Sequence, residues 1–299
     1  MIEVIAVFGP TASGKTAVAE ALADRLGTGV VSCDAMQVYR GLPILTDQPS
    51  RSTALVGIRR LNEEMSVGAY AGLAHAVIDE FVARAGTAVV SGGTGLYLRA
   101  ALANLAVPSP PAEGVRERIR DEVECDPAAA HARLADLDSR AAAAVNANDQ
   151  RRLIRALELA ETGESLVPEE DRLWAGETRR TTLVVGLDVP AAELERRIAA
   201  RTVAMFEQGV VEEVLAALAA GVSKTAAKAL GLEEIATLSE DEARERIIIR
   251  TCRYAAYQRR WMRRIPGLVG IDGIGSPDAV ANAVLQAAQP DPERGTLST

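Results

Sequence analysis

The apolar run from Ile2 to Phe8 ends in GPTASGKT, where Gly9, Gly14, Lys15 and Thr16 match GxxxxGK[ST] between a strand-like segment and an amphipathic helix. Few short motifs restrict a fold as much. A buried strand must deliver this loop and a helix must leave it. Glycines free of side chains let backbone N–H groups face phosphate oxygens, and the helix N-terminus adds a favourable dipole. In such a loop Lys15 neutralises phosphate charge and Thr16 offers its hydroxyl to Mg²⁺. The loop suits a nucleoside triphosphate or a bare diphosphate, so it leaves the reaction open.

The remaining pattern extends the same architecture. KTAVAEALADRL carries apolar positions at helical spacing and stops near Gly27, while GVVSCD and GTAVVSGGTG read as two further buried strands. TTLVVGLDVP, from Thr181, reads as a fourth. Strand and helix alternate, which predicts an α/β chain: a P-loop doubly wound parallel sheet with helices on both faces. Ala191 to Ala220 reads as helical with a break at Gly209, and a long helix from about Asp241 to Arg264 stops at Pro266-Gly267. VPSPPAEG is a proline-rich exit from the sheet. After it, Val115 to Ala160 is rich in Ala, Arg and Glu at helical spacing with no strand signal. The expected division is therefore a core of 1–108 and 166–290, a helical insertion domain of 109–165 and a flexible tail of 291–299.

Charge is unevenly distributed. The chain of 299 residues has a formal net charge of −8, which disfavours broad attraction to nucleic acid, yet residues 244–264 carry eight arginines against Glu245 alone. Such a block is either a solvated helix face or a phosphate footprint. With 3% aromatic residues, a single-strand binder built on rows of stacked rings is not expected. Cys33, Cys125 and Cys252 are scattered without metal-ligand spacing, so neither a zinc site nor a disulfide framework is expected. No leader-like or membrane-spanning stretch is present in the sequence, and a cytoplasmic address is the default.

Two further strand exits carry chemistry. Asp34, in SCDAMQVYRG, stands at the carboxyl edge of the second strand, where ligands bind in open α/β sheets. It can hold Mg²⁺ through water, take a proton from an attacking nucleophile, or simply cap the next turn. In SGGTGLYLRA, Gly92, Gly93 and Gly95 let the backbone approach a ligand and frame the Thr94 hydroxyl.

Together GPTASGKT, CDAMQVYRG, GGTGLYLRA, NDQRRLIRALE and RYAAYQRRWMRR resemble the tRNA dimethylallyltransferases, in the same order and over most of the chain from Val4 to Arg264. The resemblance implies transfer of the dimethylallyl group from dimethylallyl diphosphate to N6 of the adenine at tRNA position 37, with pyrophosphate leaving. It implies catalytic roles for Asp34, as general base, and Thr94. Diphosphate binding is implied for Gly9, Pro10, Thr11, Ala12, Ser13, Gly14, Lys15 and Thr16, with Thr16 on Mg²⁺. The family's Thr-Arg and Lys-Arg pairs are altered in the late helix, so diphosphate contact there falls to Arg253, with Arg250 and Arg259 as alternatives. Contact with tRNA is implied for Asp34, Ala35, Met36, Gln37 and Thr94, and for Arg151, Arg152, Leu153, Ile154 and Arg155. By resemblance the insertion grips the anticodon stem-loop and the protein works as a monomer. Two other readings stay open: the same chemistry on free AMP, ADP or ATP, as in adenylate isopentenyltransferases, and a P-loop small-molecule kinase that binds ATP.

Overall fold

The computed structural model describes residues 1–104, 111–112, 114–167 and 178–289. Most of the proline-rich exit at 107–114, and the tail at 291–299, lie outside these residues. The chain divides into two compact units, Met1–Leu105 with Glu177–Thr299, and Ala106–Gly176. In chain order the elements are β1 (Val4–Phe8), α1 (Lys15–Leu26), β2 (Val30–Ser32), α2 (Val67–Ala85), β3 (Ala88–Gly92) and α3 (Gly95–Leu102). The second unit holds α4 (Val115–Cys125), α5 (Pro127–Leu137), α6 (Ser139–Ala144) and α7 (Gln150–Ala160). The first unit then resumes with β4 (Thr182–Asp188), α8 (Ala191–Glu207), α9 (Val210–Ala220), α10 (Leu232–Thr237), α11 (Glu240–Met262), β5 (Val269–Asp272) and α12 (Pro277–Ala287).

The sheet is all parallel, in the order β2-β3-β1-β4-β5. The chain leaves β1 for the edge position of β2, returns to β3, and then crosses to the other side at β4. β1 is therefore the switch point, and a crevice opens at its carboxyl end. Ile5 and Val7 of β1 pack with Val18 and Leu22 of α1 and Val280 and Val284 of α12. Val4, Ala6 and Phe8 point the opposite way and are equally buried, so the second face is covered too. α1 ends where Gly27 takes the left-handed conformation and its N–H reaches Ala23 O.

The second unit has its own core of Ile119, Val123, Ala130, Leu134, Leu153 and Leu157. The periodicity from Val115 to Ala160 is broken into four helices. Asp126, Asp138 and Asp149 each accept a first-turn N–H and so start α5, α6 and α7. Glu158 is buried and held by Arg116 at 2.7 Å and Arg155 at 2.9 Å. Among the described residues no helix is long and apolar enough to cross a membrane.

Candidate active site at the strand tips

The strand order brings the exits of β2, β3 and β1 side by side at one edge of the first unit. Lys15, Thr16, Ser32, Asp34, Gln37 and Gly92 line one cavity there. The two residues expected to serve the diphosphate and the carboxylate expected to serve the nucleophile thus share a single space.

The loop between β1 and α1 is held by several devices. At Gly9 a Cβ would stand 2.6 Å from Ser13 Oγ, so this position has no room for a side chain. Ala12 adopts φ 63, a left-handed conformation uncommon for a residue with a Cβ. Gly14, at φ 88, opens α1 with no side-chain cap, which leaves the first-turn amides for an anion. The amides of residues 9–16 do not all face inward, however. Pro10 has none, Thr11 N–H is turned to Gln258 Oε1 at 2.7 Å, and Ser13 N–H closes a turn on Pro10 O at 3.2 Å. Ser13 Oγ is buried without a hydrogen-bond partner.

Cations surround this loop. Lys15 is half-buried and its Nζ lies 3.4 Å from Pro10 O. Burial draws its pKa below the ordinary lysine value, Asp34 opposes that shift, and Arg201 reinforces it. Arg201, on α8, pairs with Asp47 at 2.9 Å. One turn earlier, Arg197 points Nη1 at Ala12 O and Ser13 O, 3.4 Å from each.

Asp34 does two things. Its Oδ1 accepts Met36 N–H at 2.9 Å, the turn-capping role, while Oδ2 has no hydrogen bond among the described residues. Ala35 and Met36 complete that turn, half-buried. The Gln37 amide is engaged on both sides: Oε1 accepts from Ser32 Oγ at 2.8 Å and Nε2 donates to Asp47 O at 2.8 Å. A base edge could use it only by exchange with these partners. Thr94 stands just ahead of α3, with the side chain of Tyr254 beside it. Burial, then the charge of Asp34, pushes the Tyr254 phenol up to about 12, although the neighbouring Thr94 and Gln258 side chains pull the other way.

The chain matches the family model described as IPP transferase over residues 37–265 and that described as isopentenyl transferase over residues 2–67. It is 38% identical over 300 residues to a tRNA dimethylallyltransferase of Anaeromyxobacter dehalogenans, covering 95% of this chain and 99% of that one. A tRNA dimethylallyltransferase of Streptomyces coelicolor is 39% identical over 288 residues, 90% of each chain. The crystal structure of a tRNA isopentenylpyrophosphate transferase from Bacillus halodurans superposes with a TM-score of 0.69 at 28% identity, covering 96% of each chain. The chain belongs to the tRNA dimethylallyltransferase family.

Of the three late-helix arginines expected as diphosphate contacts in this family member, two are already committed. Arg250 pairs with the buried carboxylate of Glu234, and Arg259 lies 3.5 Å from Asp188. Arg253 is exposed on α11. In α7, Arg151 and Arg152 are exposed and Ile154 is half-buried. Leu153 is fully buried in the core of its unit, so its side chain is a packing element rather than an RNA contact. Arg155 is tied to Glu158.

Sequence reading missed four residues that shape this site: Arg197, Arg201, Tyr254 and Gln258. Arg197 and Arg201 are one helical turn apart. Tyr254 and Gln258 have the same spacing, and the buried face of α11 that holds Gln258 also carries Thr251 and Ala255. A polar side chain recurring on a buried helical face was the available signal.

Proposed function

We propose that this protein transfers the dimethylallyl group from dimethylallyl diphosphate to N6 of the adenine at tRNA position 37 and releases pyrophosphate. The observation that carries the reading is the shared cavity, in which Lys15 and Thr16 stand beside Asp34. A phosphate-binding loop facing a strand-tip carboxylate suits displacement of a diphosphate by a nucleophile that must lose a proton. Family membership supplies the prenyl group and the tRNA.

An adenine amine is a weak nucleophile because its lone pair is delocalised into the ring. Asp34 Oδ2 accepts the amine proton as the new C–N bond forms, and Oδ1 stays on Met36 N–H to fix the carboxylate plane. The diphosphate oxygens take the first-turn amides of α1 and Lys15, with Arg201 released from exposed Asp47 to join them and Arg253 adding charge from α11. Thr94 positions the acceptor. The Thr16 hydroxyl is a hard oxygen donor lining the same cavity, a donor that fits Mg²⁺ and would hold it there. When bound, Mg²⁺ offsets charge on the leaving diphosphate.

Arg151 and Arg152 contact tRNA phosphates, and the helical unit grips the anticodon stem-loop. The enzyme works as a monomer in the cytoplasm. Incubation with dimethylallyl diphosphate, Mg²⁺ and either an anticodon stem-loop or AMP, followed by mass analysis of the nucleosides, tests the proposal. Modification of the stem-loop adenosine supports it. Prenylation of AMP alone, or ADP formation from ATP with no use of the prenyl donor, overturns it.

A further inference from the structure

Gln258 is 2% exposed on α11 and is used at both ends. Its Oε1 accepts the N–H of Thr11 at 2.7 Å, and its Nε2 donates to the carbonyl of Gly93 at 2.9 Å. Thr11 belongs to the phosphate loop. Gly93 immediately precedes Thr94, and because the peptide unit is planar, holding its carbonyl fixes the direction of Thr94 N–H. One side chain therefore ties the donor loop to the turn that presents the acceptor-side threonine.

The chemistry of the position is selective. The task needs one acceptor and one donor at opposite sides of a neutral group, which glutamine supplies; glutamate lacks the donor and leucine lacks both. The neighbours are built around it. A Cβ at Gly93 would collide with Gln258 Nε2 and stand 2.8 Å from Gly9 O, so the two loops pack directly on each other here. One turn back on the same helix, Tyr254 stands beside both Thr94 and Gln258.

Resting on the reading of the site given above, we infer that Gln258 is a positioning residue that couples diphosphate binding to acceptor placement. A diphosphate drawn onto the loop tightens Pro10-Thr11 against Gln258, and Gln258 in turn sets Gly93-Thr94 for the incoming nucleotide. Coupling of this kind is reciprocal, so it is measurable as an affinity ratio in either direction.

The test measures binding of an anticodon stem-loop by the full-length protein with and without saturating inorganic pyrophosphate and Mg²⁺. In the wild type, pyrophosphate should tighten stem-loop binding about fivefold. In Gln258→Leu the ratio should fall below about twofold, while each ligand alone binds within about threefold of wild type. Gln258→Glu, which keeps the acceptor for Thr11 but loses the donor to Gly93, should also uncouple the sites and serves if the leucine variant fails to fold. A wild-type ratio near one, or an undiminished ratio in a folded variant, overturns the inference and leaves the proposed reaction intact. Failure of the wild type to bind pyrophosphate or stem-loop would sink the proposed function itself.

Discussion

Asp34→Asn separates proton transfer from everything else this residue does. Asparagine keeps an oxygen for Met36 N–H, so the turn that Asp34 caps at 2.9 Å survives. The change is concentrated at Oδ2, where a proton acceptor becomes an amide that cannot accept the amine proton. Loss of a positioned general base costs about 10²–10⁴ in rate. We expect the lower half of that range, about 10²–10³, because loop amides and Lys15 still stabilise the departing diphosphate; this corresponds to ~2.7–4.1 kcal/mol in the barrier. Diphosphate affinity has two opposing contributions. Removing the carboxylate relieves repulsion of an incoming anion, but it also removes the charge that supports protonation of Lys15. These offset, and pyrophosphate binding should change by less than about threefold. Single-turnover prenylation of an anticodon stem-loop gives the rate, and calorimetric titration with pyrophosphate and Mg²⁺ gives the affinity. A variant with more than about a fifth of the wild-type rate, or one that loses pyrophosphate binding while remaining folded, would refute this division of labour.

Lys15→Ala should behave differently, weakening pyrophosphate binding and single-turnover rate together, since Lys15 holds the diphosphate and also meets the negative charge that grows on it as the C–O bond breaks. Arg152→Ala should weaken stem-loop binding, lower the salt slope by about one ion and leave pyrophosphate affinity unchanged; an unchanged slope would make Arg152 structural. Leu153→Ala should destabilise the helical unit by about 2–5 kcal/mol in denaturant melts, because Leu153 is fully buried in that unit's core. Burial pushes the Glu158 carboxyl up, but Arg116 and Arg155 outweigh it and hold the pKa below the usual 4.5. A depressed folded-state value stabilises above the unfolded pKa, so this contribution is present at neutral pH and is lost as pH falls below about 4.5 through the folded value. Glu158→Gln should cost ~1–3 kcal/mol at pH 7 and flatten that acid dependence; both arginines reach solvent, which moderates the figure.

The parts of the fold that were legible in the sequence are those written in short-range pattern. Apolar runs marked four of the strands, those of β1 and β3 ending in glycine, and Gly209 marks the break between α8 and α9, where it takes φ 90. β5 was missed because VGID is four residues long at the sheet edge with only partial burial, too short for a periodic signal. α12 follows it and was likewise unread, although Ser276 and Pro277 form a regular start. Within the insertion, alanine-rich periodicity hid the three capping aspartates. At the site, the motifs located Lys15, Asp34 and Thr94, but could not reveal partners 247 and 165 residues distant, as Gln258 is from Thr11 and Gly93. Nor could they show that Gln37 and Arg250 were already occupied, because those bonds depend on tertiary neighbours at Asp47 and Glu234.

The central claim is that one cavity at the strand tips releases pyrophosphate as an adenine in tRNA gains the prenyl group. The most direct measurement follows both products in one reaction of the wild-type protein with dimethylallyl diphosphate, Mg²⁺ and an anticodon stem-loop. Pyrophosphate and N6-dimethylallyladenosine should appear in equal amounts, and neither should form when the stem-loop carries guanosine in place of the acceptor adenosine. Pyrophosphate appearing without modified RNA, or orthophosphate in its place, would contradict the account.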